Sequence, residues 1–286
     1  MKIFIKIFII LLVGIIGIIL YSRYIGTNGL VTNEIVINAD NIPTSFDGLK
    51  IVHFSDLHYT RVITKERVKN IVNEINLINP DIVIFTGDLV DTDKTLTEDD
   101  KDFLIETLSN INSTYGKYAI YGNHDIANNS ENIINIYNES NFKILNNSYD
   151  IIYSKNNEKI FIGGLNSVSH ELADIDKVMS YYDNNDNTNT YNIILLHEPD
   201  YADNIVNKYN NIDLILAGHS HGGQVRLPFI GPLYTPKNAH KYVKGYYDLN
   251  GISLYVTSGI GVSRYNFRLF NKPEINFYRL NKFLPE

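Results

Sequence analysis

Five short polar clusters hold most of the side chains in this chain that could do chemistry. They are Asp56-x-His58, Gly87-Asp88-x-x-Asp91, Gly122-Asn123-His124-Asp125, a lone His197, and Gly218-His219-x-His221-Gly222-Gly223. Their donors are carboxylate, amide oxygen and imidazole, a set that suits Mn, Fe, Zn, Co or Ni. Cysteine is absent, which excludes disulfides, thiolate metal sites and cysteine nucleophiles together. Seven of the side chains, Asp56, His58, Asp88, Asn123, His197, His219 and His221, are too many for one tetrahedral ion that keeps an open position. Two ions about 3.5–4 Å apart that share a carboxylate need about this number.

Taken singly, most of the blocks say little. An Asp-x-His at a strand end marks a turn as well as a ligand pair, and a Gly-Asp after a strand is an ordinary helix-start signal. The glycine-flanked pair His219 and His221 is more telling, because two imidazoles on such a loop have little structural reason to exist. Of the 8 histidines, His53, His170 and His240 lie outside the clusters. His53 reads as a strand-interior residue, His170 and His240 as surface residues.

The elements that must position these blocks alternate between strand and helix. Residues 49–54 read as a strand running into Ser55-Asp56. Thr64 caps a helix with Val68, Ile71, Val72, Ile75 and Ile78 at the 3.6 period, ended by Pro80. A buried strand at 81–85 runs into Thr86-Gly87-Asp88, and Thr97 opens a second helix carrying Phe103, Leu104, Leu108 and Ile111. Residues 117–121 form the strand before Gly122, and 131–139 a further helix. The Asn- and Asp-rich segment 183–190 reads as a surface loop. Strands at 191–196 and 212–217 deliver His197 and Gly218, and 242–249, 252–257 and 274–280 read as hairpin-like strands. Five strand ends therefore carry His, Asp or Asn, and ligands of open α/β sheets gather just beyond such ends.

Composition agrees with a folded α/β body. The chain has 286 residues, 44% hydrophobic and 20% charged, so a sizeable core is available. Its 25 Lys and Arg against 32 Asp and Glu give a net charge of −7, so the overall basic footprint of a nucleic-acid binder is missing and no nucleic-acid partner is expected.

The N-terminus differs from the rest. Residues 7–21 are an unbroken apolar run, roughly 22 Å long as a helix against a ~30 Å hydrocarbon core. Residues 3–5, with Lys6 snorkelling to the interface, extend it to about 28 Å. No small-x-small cleavage site follows; Tyr21-Ser22-Arg23-Tyr24 reads as an interface anchor. Lys2, Lys6 and the terminal amine precede the span and Arg23 alone follows closely, which favours a cytoplasmic N-terminus and a single-pass protein with an extracytoplasmic body. The expected divisions are an anchor at 1–24, a linker and first strand at 25–48, and the main domain at 49–286.

In order and type, the five blocks resemble the calcineurin-like metallophosphoesterase superfamily, from about Lys50 to the C-terminus. Gly222-Gly223-Gln224-Val225-Arg226-Leu227-Pro228 and Tyr234-Thr235-Pro236 resemble its bacterial membrane- or wall-associated branch, related to UDP-2,3-diacylglucosamine pyrophosphatases. The resemblance implies a four-layer α/β/β/α sandwich, which would follow the one N-terminal transmembrane helix read from the apolar run. It assigns Asp56, His58 and His221 to a first divalent metal, Asn123, His197 and His219 to a second, and Asp88 to both. It makes His124 the histidine that contacts the leaving group and Asp91 the carboxylate that orients it. Two such ions activate a bridging hydroxide near neutral pH and neutralise the phosphoryl oxygens, with no covalent enzyme intermediate. In the protein serine/threonine phosphatases of the superfamily an Arg-Gly follows the second block; here Thr92-Asp93 stands there, so the Arg clamp is missing and a phosphodiester or pyrophosphate is expected before a phosphoprotein. A nucleotide-linked lipid pyrophosphate, a cell-wall phosphodiester polymer and a small phosphomonoester are all candidate substrates. The His-x-His-x-Asp-His of the metallo-β-lactamase type is absent. The alternative is a membrane-anchored protein whose metal site is not catalytic.

Overall fold

Strand Ile82–Phe85 shows how the body is layered. All four of its side chains are buried and, as in any strand, they alternate between faces. Ile82 and Ile84 enter one apolar cluster, Val83 and Phe85 another. Farther along the chain, Ile193 and Leu195 share the cluster of Ile82, whereas Ile194 and Leu196 enter a third. Three cores separated by two sheets make four layers. Continuous apolar strands are what sheets covered on both faces require, and each fully buried Ile or Phe contributes about 1.5–3 kcal/mol.

The computed structural model describes all residues except 60–61, 93–94, 128–129, 171, 184–189 and 284–286. Among the described residues one six-stranded sheet comprises β1 (Val31–Ala39), β2 (Leu49–Phe54), β3 (Ile82–Phe85), β4 (Gly116–Ala119), β5 (Phe142–Ile144) and β14 (Glu274–Lys282), in the order β1-β14-β2-β3-β4-β5. The second comprises β6 (Ser148–Tyr153), β7 (Lys159–Gly164), β8 (Thr190–Leu196), β9 (Leu214–Ala217), β12 (Gly245–Leu249) and β13 (Ile252–Val256), in the order β12-β13-β9-β8-β7-β6. A small hairpin, β10 (Arg226–Leu227) and β11 (Gly231–Pro232), stands apart from both.

Helices α2 (Lys65–Ile78), α3 (Glu98–Ser109) and α5 (Ser130–Glu139) cover the outer face of the first sheet through Val68, Ile71, Leu104 and Ile136. Helices α6 (Ile175–Met179) and α7 (Ala202–Val206) cover the second through Val178 and Ile205. The caps are the expected ones. Thr64 accepts the Arg67 amide, and Thr97 forms a capping box with Asp100. A short helix α4 (Asn123–Ala127) follows β4 directly and begins on a candidate ligand.

Two sequence expectations change. The segment 274–280 does not continue the hairpin of β12 and β13; β14 lies in the other sheet, parallel to β1 and antiparallel to β2. β4 also ends at Ala119, two residues short of the expected strand, because the chain must turn toward Gly122. Most of the loop expected at 183–190 lies outside the described residues.

At the N-terminus, α1 (Lys2–Leu20) runs into a wider turn, Tyr21–Ile25. Together they make one helix long and apolar enough to cross a membrane, with mean hydropathy 3.2 and no burial in its apolar stretch.

Candidate metal centre

The loops that follow β2, β3, β4, β8 and β9 converge at the carboxyl ends of both sheets. Backbone hydrogen bonds knit them together: the Asp56 and His58 amides donate to the Gly87 and Asp88 carbonyls at 2.9 and 3.1 Å, and the Gly218 amide donates to the His197 carbonyl at 3.1 Å. Close approach demands glycine at two points. A Cβ at Gly122 would strike Asp88 Oδ1, and one at Gly218 would strike Ser55 Oγ. Five candidate ligands are themselves bent into the left-handed region: Asp56, His58, Asp88, His219 and His221 have φ between +44° and +65°. Such backbone is unfavourable for residues with a Cβ and clusters at functional sites.

These bends bring the side chains together. Asp88 Oδ2 lies 3.3 Å from His197 Nε2 and 3.5 Å from His58 Nε2, so one carboxylate oxygen faces both groups of histidines. His221 Nε2 is 3.5 Å from Asp56 Oδ1 and 3.1 Å from His58 Nε2. Asp56, His58 and His221 form one set whose donor atoms lie within 4.8 Å of one another; Asp88, His197 and His219 form a second, and His58, Asp91 and His124 a third.

Hydrogen bonds on the far side of the rings select which nitrogen faces inward. His197 Nδ1 donates to the Thr86 carbonyl at 2.6 Å and His219 Nε2 to the Lys237 carbonyl at 2.9 Å. His197 therefore presents Nε2 and His219 presents Nδ1, the arrangement that carbonyl partners impose on metal-binding histidines. Asn123 Oδ1 is buried without a hydrogen-bond partner. A buried amide oxygen, inward-facing imidazole nitrogens and a shared carboxylate fit a pair of divalent ions.

The charged groups of the centre act on one another. Burial acts against the Asp88 carboxylate, yet His197 and His124 hold it well below the usual range. Burial likewise opposes charge on His197, but Asp88 raises it well above its ordinary value. His221 and His219 are both lowered, by burial first and by neighbouring histidines next.

His124 and Asp91 lie at the edge. His124 Nδ1 is 3.3 Å from Asp91 Oδ1, while its backbone amide donates to Asp88 Oδ1 at 2.8 Å. The other Asp91 oxygen is 3.5 Å from His58 Nδ1. Burial opposes charge on His124, but Asp88 and Asp91 outweigh it and raise the imidazole to about 9. A cavity of about 630 Å³ opens over the centre, reaching His124, His219 and His221 on its floor and Tyr234, Arg264 and Tyr265 at its wall.

Two acids in the neighbourhood had no assigned role in the sequence. Asp125 is fully buried and accepts hydrogen bonds from the backbone of Asp88, Leu89 and Gly122. Burial, with Asp88 beside it, raises its carboxyl to about 6. Glu198 is also buried and accepts from Ser167 Oγ and the amides of Val168 and Ser169. Their only sequence signal is adjacency, since each follows a histidine of the clusters. Of the three histidines set aside, His53 is buried in β2, neutral because burial lowers it to about 3, and hydrogen-bonded through Nε2 to Thr86 Oγ1. His170 and His240 are exposed, although His170 reaches the Asn123 carbonyl at 3.1 Å.

The order of these blocks, on a two-sheet sandwich with convergent strand ends, coincides with a known pattern. The family model described as calcineurin-like phosphoesterase matches residues 49–223. The chain is a calcineurin-like phosphoesterase. Calcineurin-like phosphoesterases hydrolyse phosphoester bonds and use two divalent metal ions. Among its relatives is the uncharacterized metallophosphoesterase YkuE of Bacillus subtilis, 33% identical over 91% of this chain and 88% of that protein. The phosphodiesterase YaeI of Escherichia coli is 26% identical over 81% of this chain and 82% of its own length. A transmembrane protein with metallophosphoesterase domain from Danio rerio is 25% identical over 85% of this chain, which spans only 55% of that longer protein.

Proposed function

We propose that this phosphoesterase is a two-metal hydrolase of phosphodiesters or pyrophosphates, tethered to a membrane with its body on the extracytoplasmic side. The observation that carries the reading is Asp88 Oδ2, which faces His58 and His197 at 3.5 and 3.3 Å. A carboxylate so placed would serve one ion held by Asp56, His58 and His221 and another held by Asn123, His197 and His219. When bound, the two ions supply a water ionised near neutral pH and positive charge for the phosphoryl oxygens.

The chain's own groups do the rest. His124 Nδ1 lies 3.3 Å from Asp91 Oδ1 and within reach of Thr92; protonated and paired with Asp91, the ring would present Nε2–H to the cavity, where it can protonate the departing oxygen. Asp91 would hold that ring and favour its charged form. YaeI is named a phosphodiesterase, which supports the diester reading. The exposed helix Lys2–Ile25 supports the tether, and Lys2 and Lys6 at its start against Arg23 near its end support the orientation.

The test uses the full chain in detergent, stripped of metal and reloaded in turn with Mn, Fe, Co, Ni and Zn. Two equivalents bound, with turnover of bis-p-nitrophenyl phosphate for at least one ion, is the expected result. Two bound equivalents without turnover for any of them would instead establish a binding protein.

A further inference from the structure

The cavity wall away from the candidate ligands mixes exposed Leu233, Tyr234 and Tyr265 with Lys237 and Arg264, and it joins the base of the N-terminal helix. At 1.5 Å per residue the helix α1 is about 28 Å long, so the turn Tyr21–Ile25 comes out at the surface of a ~30 Å hydrocarbon core. The body is fastened to that turn. The Arg268 amide donates to the Ser22 carbonyl at 2.9 Å, and the Arg23 guanidinium stands 5.8 Å from the Phe267 ring centre. Arg67 Nη2 donates to the Thr27 carbonyl at 2.8 Å, and Gly26 lies so close to Arg268 that a Cβ would strike its carbonyl.

From there the contact continues outward. Leu269 exchanges backbone hydrogen bonds with Gln224 and Arg226, and the Gln224 side-chain amide bonds reciprocally with the Ser263 backbone. The hairpin β10–β11 therefore stands beside the helix base. Its tip is Pro228-Phe229-Ile230, with Phe229 fully exposed and Ile230 72% exposed. Tyr265 and Phe270, on the segment that joins hairpin to helix, are 71% and 68% exposed. Side chains this large and this apolar, gathered at one place, mark an interaction surface.

The charge pattern names what covers it. In a chain of net charge −7, residues 222–273 contain a single acid, Asp248, and leave Lys237, Arg264 and Lys272 exposed, whereas Arg268 is buried and Lys241 and Lys244 pair with Asp203 and Glu274. Exposed aromatic and aliphatic tips on a segment whose unpaired exposed charges, Asp248 apart, are cationic suit the headgroup layer of an anionic bilayer.

Resting on the tether proposed above, we infer that the hairpin tip, Tyr265 and Phe270 dip into the same bilayer that holds α1, and so set the mouth of the metal cavity at headgroup level. Val225, Tyr234, Arg264, Tyr265 and Phe267 line that cavity together with His124 and His219, so the docked face and the catalytic opening are one surface. Phosphate esters in the headgroup layer then reach the metals without leaving the membrane.

The chain contains no tryptophan, so a single Phe229→Trp or Leu12→Trp change creates a unique fluorophore. Each full-length variant is reconstituted into phosphatidylcholine–phosphatidylglycerol vesicles, with and without bromine on the acyl chains. At the ~5–10 Å depth of an interfacial apolar group, bromine should quench the residue-229 emission about twofold and the spectrum should be blue-shifted. Quenching at 12 but not at 229 would overturn the docking while leaving the tether intact, and a blue shift at 229 without bromine quenching would point to a second copy of the chain as the occupant. Absence of quenching at both positions would remove the tether and the docking with it.

Discussion

Asp125 grips the backbone of Asp88. Its Oδ2 accepts the Asp88 amide at 2.8 Å and the Gly122 amide at 3.0 Å, while Oδ1 takes the Leu89 amide at 2.9 Å. One buried carboxylate thereby ties the loop after β3 to the loop after β4, and Asp88 stays in register with Asn123. Asp125→Asn would turn an amide N–H₂ toward one of these backbone donors. The expected cost is about 1–3 kcal/mol of stability. Loss of such an outer partner should also weaken metal binding by about 10–100-fold. Titration of metal into the apo variant checks this, and unchanged affinity would mean that the loops are held elsewhere.

Asp88 itself should matter more than any ligand serving one ion. Asp88→Asn removes the charge that both histidine groups face and should leave less than one tightly bound metal per chain, with no activity. Elemental analysis of the purified variant decides. Two retained equivalents would contradict the shared assignment.

His124 should govern the leaving group and spare the metals. A general acid contributes about 10²–10⁴-fold where the leaving group is poor and little where it departs unaided. His124→Asn should keep both ions, lose most activity on alkyl phosphodiesters and lose far less on p-nitrophenyl esters. Asp91→Asn should lean the same way. Because Asp91 also lies 3.5 Å from His58 Nδ1, that variant should lose some metal affinity as well. Equal losses on good and poor leaving groups would assign His124 to packing.

The layered fold was legible because its signals are local. Thr64 and Thr97 announce their helices, and runs such as Ile82–Phe85 are apolar on both faces. The placement of β14 was hidden because its partners are remote. Val31 pairs with Glu274 and Leu49 with Leu280, a register set by the sheet rather than by neighbouring residues. The histidine clusters stood out because their residue types are rare. Asp125 and Glu198 did not, because their partners are backbone amides and hydroxyls that carry no residue signature.

The orientation of the tether can be read in cells. Protease added to intact, wall-free cells should digest the body and leave a cytosolic protein whole, and the mature chain should still begin at its first residues. A protected body would reverse the orientation, and a mature terminus beyond Ser22 would establish a cleaved leader.

The left-handed backbone at Asp56, His58, Asp88, His219 and His221 sets function against robustness. Each such residue is strained by about 1–3 kcal/mol, a load that glycine would shed and asparagine would lighten. Selection of this chain for heat resistance alone would therefore draw substitutions to these five positions first. On the two-metal reading the survivors would be sturdier and would bind metal poorly, so the strain at these five positions is the cost of aiming their side chains at one centre.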